Sequence, residues 1–493
     1  MALTMKGRRA MKRTRWSRAR LPVIVARLPV AGVVAAVLAT GAMSPATLTA
    51  PATLTAPATL NAAAGAGWSA RALPLPSGDA ADVVLPVAKG AACLPSGSCV
   101  AAVSFTGVEG GELAAGGGTS WKAVVPKVPA NDAGGAKAAD GAFSAVACGP
   151  AKCVAVGSYH ASAGTGLLAE TGSGSSWTPG ELPGLTGSLS ASLGQVACGT
   201  ICAAIGTVTT KKGTEPLIEL GSGTNWKASG AKAPKGASSA AEIRLTSAAC
   251  HGANCVVTGS YVSKTRGVEG LLEVESGGKW TSVQAPLPAH AAAGQQNVTL
   301  HDVACPATTS CTAVGTYVRA GGAGEAEFVT GWGPKWTAAA VPVPKGGDGP
   351  TLGYVACASA TACTADGDYT DGSGFAHMLI TVRSGKTLTS VKAPAPANAL
   401  NLGHGQSVSN EGQVACVSAK LCVAVGAYLD KSWNEHPVML AGSGTKWSVR
   451  ELPAPPGSPA NPQAVLTWLA CPKSCDAAGT YDAGMPYLSA GPA

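Results

Sequence analysis

Charge and aromatic residues are scarce in this sequence, and sustained helical periodicity is absent. Charged residues are 13% of the 493 and aromatics 5%, with 4 phenylalanines and 27 acids in all. Most acids stand singly, so the paired carboxylates that glycoside hydrolysis needs are not evident. No Gly-x-Ser-x-Gly elbow, phosphate-binding loop or dinucleotide fingerprint occurs in a context that would make it one. The many Gly-Ser-Gly runs read as turns. No cofactor is therefore expected. A basic stripe is missing as well. The formal charge of +8 comes from a leader in which Lys6, Arg8, Arg9, Lys12, Arg13, Arg15, Arg18, Arg20 and Arg27 stand without an acid. The remainder is close to neutral, which argues against a nucleic-acid partner.

What is plentiful is glycine, alanine and cysteine. All 16 cysteines fall into eight close pairs: Cys93/Cys99, Cys148/Cys153, Cys198/Cys202, Cys250/Cys255, Cys305/Cys311, Cys357/Cys363, Cys416/Cys422 and Cys471/Cys475. First cysteines recur every 50 to 59 residues, a period typical of solenoids, propellers and arrays. "VACGPAKCVAVGSYH", from Val146 to His160, and "VACVSAKLCVAVGAY", from Val414 to Tyr428, show how close the copies are. Two, four and six residues after the second cysteine stand alanine, glycine and tyrosine in most units. Period-two spacing places these on one face of a β-strand, and their small size implies a backbone at close approach. Unit 1 has Val103 in place of the glycine, which implies extra room in the neighbouring repeat.

Each unit is followed by a glycine-rich turn and a tryptophan, as in "GSGTNW" ending at Trp226 and "GSGTKW" ending at Trp447. Leu388 replaces the tryptophan in the sixth unit. Short apolar runs lie between the landmarks and proline follows them. Each period reads as four short strands, the blade of a β-propeller. The eighth unit stops short of its tryptophan strand, while "GAGWSARALPLP", with Trp68, precedes the first pair. The expected fold is all-β: a propeller of eight four-stranded blades, whose last blade is completed by the N-terminal strand Trp68–Pro74. Seven blades with a degenerate sixth repeat is the alternative.

The variable spacing within pairs suits local disulfides better than zinc, which favours two close pairs around one ion. Each such disulfide stabilises by only about 2 kcal/mol, because the loop it closes is so small. The cysteines are thus read as hairpin staples, and core packing is assigned to tryptophan, valine, leucine and alanine. Residues 1–42 read as a secretory signal, basic and then apolar, with cleavage after Ala42. An uncleaved membrane anchor is the alternative. Residues 43–66 form a Pro/Ala/Thr-rich linker, and 67–493 form the propeller. The protein is expected to be secreted or held at the cell surface, and to be a monomer.

The unit "VACPATTSCTAVGTY" with its later "GPKWTAAAVPVP" resembles the repeats of secreted propeller-like proteins of high-GC Gram-positive bacteria, which carry a Cys-spacer-Cys-Val-Ala-Val-Gly strand and a Gly-Thr-x-Trp strand. The resemblance covers residues 67 to 493 and implies a repeat fold, not an activity. The Gly-x-x-Trp turns also resemble the Asp-box turns of neuraminidase repeats. The box aspartate is missing, so sialidase chemistry is not implied.

Candidate polar residues are dispersed. Asp302, Asp366, Asp368, Asp371, Glu325 and Glu327 are the acids considered for an extracellular hydrolase or lyase. "DGDYTDGSG", from Asp366, reads as a polar turn in preference to a calcium loop. His160, His251, His290, His301, His377, His404 and His436 show no shared repeat position, and His301–Asp302 reads as a strand edge. The repeated tryptophans are assigned to packing between blades. Non-repeat aromatics (Trp332, Tyr354, Trp433, Trp468) are better ligand candidates. Trp433, Glu435 and His436, in a polar insertion of one blade, form the candidate binding site. These features favour a non-catalytic propeller binding an extracellular protein or glycan.

Overall fold

A computed structural model describes residues 67–492 apart from 74–85, 106–110, 132–141, 402–407, 482–484 and a few isolated positions. The signal and linker expected over residues 1–66, and His404, lie outside the described residues. The rest forms eight four-stranded antiparallel sheets, numbered here as blades 1 to 8 in the order of their cysteine pairs. Blade 5 is representative, with strands Thr299–Ala307, Ser310–Val318, Gly324–Trp332 and Lys335–Ala340. The sixth blade is complete despite Leu388, which pairs with Arg383 on its outermost strand.

First strands of successive blades lie side by side, and that of blade 8 also lies beside blade 1, so the ring closes. Ser69–Ala72 supplies the outermost strand of blade 8, in register from Ser69↔Ala490 to Ala72↔Tyr487. Trp68 packs between blades 7 and 8, and its indole N–H donates to the Pro492 carbonyl at 2.9 Å.

The eight disulfides form as paired, and each joins the end of a first strand to the second strand of its own blade. Among the described residues no cysteine is free. Each bridge is local to its blade, as the spacing suggested, and it is also part of the packing. The second cysteine of every pair (Cys99, Cys153, Cys202, Cys255, Cys311, Cys363, Cys422 and Cys475) is buried, none of them more than 5% exposed. Cys153, Cys311, Cys363, Cys422 and Cys475 belong to the apolar clusters that hold blades together. Cys255 is fully enclosed on the matching strand of blade 4. The reason is strand parity. The second cysteine shares one face of its strand with the alanine two residues on, and that face is covered by the blade before it. The first cysteines lie at the rim and are only half-buried. Half of each bridge is therefore core, and packing is not left to the apolar residues alone.

Blades pack face to face through the second strands. The Cys/Ala face of one blade meets the Val face of the blade before it: Val154 and Val156 of blade 2 lie against Cys202 and Ala204 of blade 3. The final contact in this series sets Ala478 and Leu488 of blade 8 against Cys99 and Ala101 of blade 1. The repeated tryptophans sit in these interfaces, and several lock the turn before them. Trp177, Trp226 and Trp336 donate to the Gly174, Gly223 and Gly333 carbonyls at 2.8, 2.9 and 2.8 Å.

The recurring glycine has a cause within its own blade. Most first strands carry a β-bulge at this level, such as that between Leu300 and Asp302. The bulge turns a carbonyl at the glycine: a Cβ on Gly315 would collide with Thr299 O and the Cα of Leu300. Val103 packs in a cluster with Ala478 and Leu488 of the neighbouring blade 8, and its cross-strand partner is small. It faces Ala88, where Gly157, Gly206 and Gly315 face Phe143, Leu193 and Leu300.

Just after the bulge, three residues before the first cysteine, a side chain reaches to the next blade. The Gln195 and Gln413 amide oxygens accept from the Ala248 and Leu469 backbone N–H at 2.9 and 3.5 Å. Asp302 accepts from Ser247 Oγ at 2.6 Å and from Val355 N at 2.9 Å, spanning blades 4, 5 and 6. Tyr354 and Trp468 occupy the same position and pack inward, so these two aromatics are structural. Trp332 likewise packs between blades 4 and 5.

Candidate functional site

Second strands run from a disulfide to a tyrosine, so the two ends of the ring differ chemically. One rim carries the disulfides and the Gly-Trp turns. The other carries the tyrosines, the loops joining second to third strands, and the proline-bearing connectors between blades. Seven large hydrophobic residues are exposed among those described. Six of them (Val125, Leu189, Phe375, Leu429, Trp433 and Met485) lie on the tyrosine rim, and only Val417 lies on the other. Such a bias is the mark of an interaction face.

The rim tyrosines are buried and braced by polar partners. In blade 4, Tyr261 donates to Glu269 at 2.7 Å and Arg266 pairs with the same carboxylate at 2.7 Å. In blade 5, Tyr317 donates to Glu325 at 2.9 Å, and Arg319 and His290 lie 3.1 and 3.3 Å from that carboxylate. In blade 7, Tyr428 donates to Glu451 at 2.8 Å, while His436 bridges Asp430 at 3.2 Å and Glu451 at 3.3 Å. Burial, and then the acid each hydroxyl faces, push the Tyr261, Tyr317 and Tyr428 phenols above their ordinary range. A phenol that holds its proton this firmly is no activated nucleophile.

Blades 6 and 7 share a loop design that the sequence reading missed. His377 and His436 both stand eight residues after the blade tyrosine, so these histidines do recur. "YTDGSGFAH" and "YLDKSWNEH" carry the same signal, and the stretch around Trp433 is no insertion. Asp371 Oδ1 accepts from the Ser373 and Phe375 amides at 2.8 and 3.1 Å, and Oδ2 meets His377 at 2.9 Å. Asp430 repeats this with the Ser432 and Asn434 amides at 2.8 and 2.9 Å and with His436. His377, with the Phe375 amide, holds Asp371 at about 2. Asp430 is also lowered: burial opposes this, but the Asn434 amide and His436 outweigh it.

Trp433 is what sets blade 7 apart. It has φ 65° and is 61% exposed. The equivalent residue is Gly374, φ 87°, in blade 6 and Gly322, φ 90°, in blade 5. Bulky side chains rarely adopt this backbone conformation. His436 and Glu451 line a groove of about 290 Å³ with Pro453, Pro455, Pro459 and Pro462. Glu435 alternates with His436 along the strand and so projects from the other face. The structure thus gathers Trp433 and His436 on one loop, with Glu451 and Asp430 in place of Glu435.

The acids considered for hydrolysis do not share one site. Asp366 belongs to the second strand of blade 6, not to a turn; it is wholly buried, and neither carboxylate oxygen has a hydrogen-bond partner. Glu327 is likewise buried without a partner. Burial raises Asp366 well above the carboxylate range, Asp302 adding to it, and raises Glu327 to about 8. His301 and Asp302 lie within the first strand of blade 5, the inner edge strand of its sheet, where His301 is exposed, and they do not pair. His301 meets Thr316 Oγ1 at 3.2 Å, and partial desolvation lowers its pKa.

The fold and rim define an eight-bladed, disulfide-stapled β-propeller with one chemically distinct face. No family model and no curated protein matches the chain. Solved structures similar to it include a Trypanosoma rangeli sialidase in complex with 2,3-difluorosialic acid, at 11% identity and TM-score 0.35, covering 64% of this chain and 55% of that one. Another is a subtype N10 neuraminidase-like protein of A/little yellow-shouldered bat/Guatemala/060/2010, at 13% identity and TM-score 0.36, covering 60% and 93%. A third is YCF48 bound to D1 peptide, at 14% identity and TM-score 0.35, covering 80% and 97%. This chain spans about half the length of the sialidase. None of the three lends it a family or an activity.

Proposed function

We propose that this is a secreted, non-catalytic β-propeller that binds an extracellular protein or glycan through its tyrosine rim, with Trp433 as the anchor. The observation that carries this reading is a large exposed aromatic held where the sister blades place glycine. That conformation costs on the order of 1–3 kcal/mol for a residue other than glycine, and an unused surface side chain would not need it. Phe375, in the corresponding loop of blade 6, and Met485, at the start of the third strand of blade 8, are exposed on the same rim. Secretion rests on the basic-then-apolar leader and the paired cysteines; sequencing the mature N-terminus tests it, cleavage after Ala42 being expected.

The binding test compares wild type with Trp433→Gly on a glycan array and against proteins released from labelled cell surfaces. Trp433→Gly is expected to lose the ligands that wild type retains, while melting at or slightly above the wild-type temperature, since glycine relieves the backbone. Ligands held equally by both proteins would refute Trp433 as anchor. Hydrolysis of an arrayed glycan would refute the non-catalytic reading.

A further inference from the structure

The disulfide rim carries charge of one sign. Its hairpins and Gly-Trp turns present Lys279, Lys335, Lys386, Lys420, Lys446 and Lys473, all exposed, on the successive blades 4 to 8. Arg383 in blade 6 and Lys152 in blade 2 add to them. Lys279, Lys335 and Lys446 share one repeat position, just before the blade tryptophan, where blades 1 to 3 have Ser120, Ser176 and Asn225. In the sequence no basic run marks these residues, because each blade supplies only one or two. The fold gathers them. Acids do not answer them: among the described residues, no exposed Asp or Glu lies in a hairpin or turn of this rim. Glu275 and Asp476, the two acids near it, are 1% and 3% exposed and accept from the Gly278 and Gly118 amides at 2.6 and 3.0 Å. On the tyrosine rim, by contrast, Arg266 pairs with Glu269 and Arg319 with Glu325.

Two features say what covers this face. The first is its shape. The hairpins close within four to six residues, and each lysine rises from its own hairpin or turn. The bases therefore make a shallow, spread field, suited to a broad layer of anions and not to a single carboxylate or phosphate. Because the chain after the leader is close to neutral overall, that field orients the ring as well as attracting it. The second feature is where the rest of the chain joins. In blade 8 the third strand ends at the disulfide rim, where Gly491 pairs with Cys475. The N-terminal strand starts at that end, with Ser69 opposite Ala490, and runs away from it to Ala72 opposite Tyr487. Residues 1–66 thus join the ring at the disulfide rim. They open with the basic-then-apolar leader, a segment that brings its chain to a membrane whether or not it is later cut.

We propose that the disulfide rim docks on an anionic lipid surface, with the lysines of blades 4 to 8 against the headgroups, and so turns the tyrosine rim outward. The proposal stands apart from the Trp433 reading. Its test uses residues 43–493, which hold the whole ring without the apolar leader, sedimented with vesicles of phosphatidylglycerol and phosphatidylcholine or of phosphatidylcholine alone. Binding is expected to the first only, and to weaken as salt is raised. A lysine at an anionic bilayer raises partitioning about fivefold. Changing Lys279, Lys335, Lys420 and Lys446 together to glutamine should therefore lower it by about a hundredfold or more. The same change at Lys211, Lys212, Lys264 and Lys345, exposed on the tyrosine rim, removes equal charge and should leave binding nearly unchanged. Both variants should melt as wild type does, since all eight positions are exposed. Trp433→Gly should partition like wild type. The proposal falls if both kinds of vesicle bind alike or if the two quadruple variants lose binding equally. It falls if Trp433→Gly loses binding, which would put the apolar tyrosine rim on the bilayer. Retention by inorganic polyphosphate without binding to phosphatidylglycerol vesicles would also overturn it, since a free polymer would then be the partner.

Discussion

At the scale of single residues, the bulged first strand in most blades limits the size of the residue that faces it. Glycine faces leucine or phenylalanine in most blades, and Val103 faces Ala88 in the first. Gly315→Val is therefore expected to clash with Thr299 O and Leu300, and to destabilise by about 1–3 kcal/mol or more. Adding Leu300→Ala leaves Thr299 O and the Leu300 Cα in place and opens a cavity in the core, so the double variant should melt no higher than Gly315→Val alone. A double variant that melts higher would show that the partner's size, not the bulged carbonyl, sets the limit. Trp433 belongs to this scale as well. Its spacing from Tyr428 equals that of Gly374 from Tyr369, so the replacement of glycine by tryptophan could be read from two aligned segments once the loops were known to correspond.

At the scale of elements, the first strands hold each other through the residue after the bulge. Asp302 is the most connected of these, with Ser247 on one side and the Val355 amide on the other. Gln195 and Gln413 do the same work as neutral amides. Asp302→Asn is accordingly expected to fold with a loss of about 1 kcal/mol or less, whereas Asp302→Ala strands a buried amide and a hydroxyl and should cost about 2–4 kcal/mol. Equal melts for the two would show that the link between blades carries no stability. The cysteine pairs, the tryptophan turns and the completion of blade 8 by Ser69–Ala72 were all legible in the sequence, because a period near 50 residues and strand parity mark them directly. The burial of Asp366 was not. Parity assigns it to the face opposite Ala365, but only packing against blade 7 reveals that both faces of a second strand are covered. The core role of the second cysteines was hidden in the same way, since loop size speaks for the staple and not for what lies against it. The rim networks were hidden for another reason: Glu269, Glu325, His377 and His436 share a position but not a residue type.

At the scale of the whole molecule, the ring encloses an unusual number of buried acids. Burial raises Glu170 and Glu219 to about 7 and Glu327 to about 8, and it also raises Glu273, Asp302, Asp366 and Asp476. A carboxyl group with a raised folded-state pKa binds its proton more tightly when folded. Its contribution is full below the unfolded value of about 4.5 and is lost as pH rises through the folded value. Asp371 and Asp430 act in the opposite sense, but only below about pH 4. The melting temperature should consequently fall between pH 5 and pH 9, by roughly 5–10 °C. A melting temperature that rises over that interval would show that these acids are solvated or paired in solution.

The claim that one rim is the ligand face is tested most directly by hydroxyl-radical footprinting of the propeller with and without a ligand found on the array or the surface-protein screen. Tryptophan, methionine and phenylalanine all label, and the exposed examples lie on the tyrosine rim. Protection of Trp433 is predicted, with Phe375 or Met485 beside it, and no change around Val417 on the disulfide rim. Protection around Val417 with Trp433 labelled as before would contradict the claim.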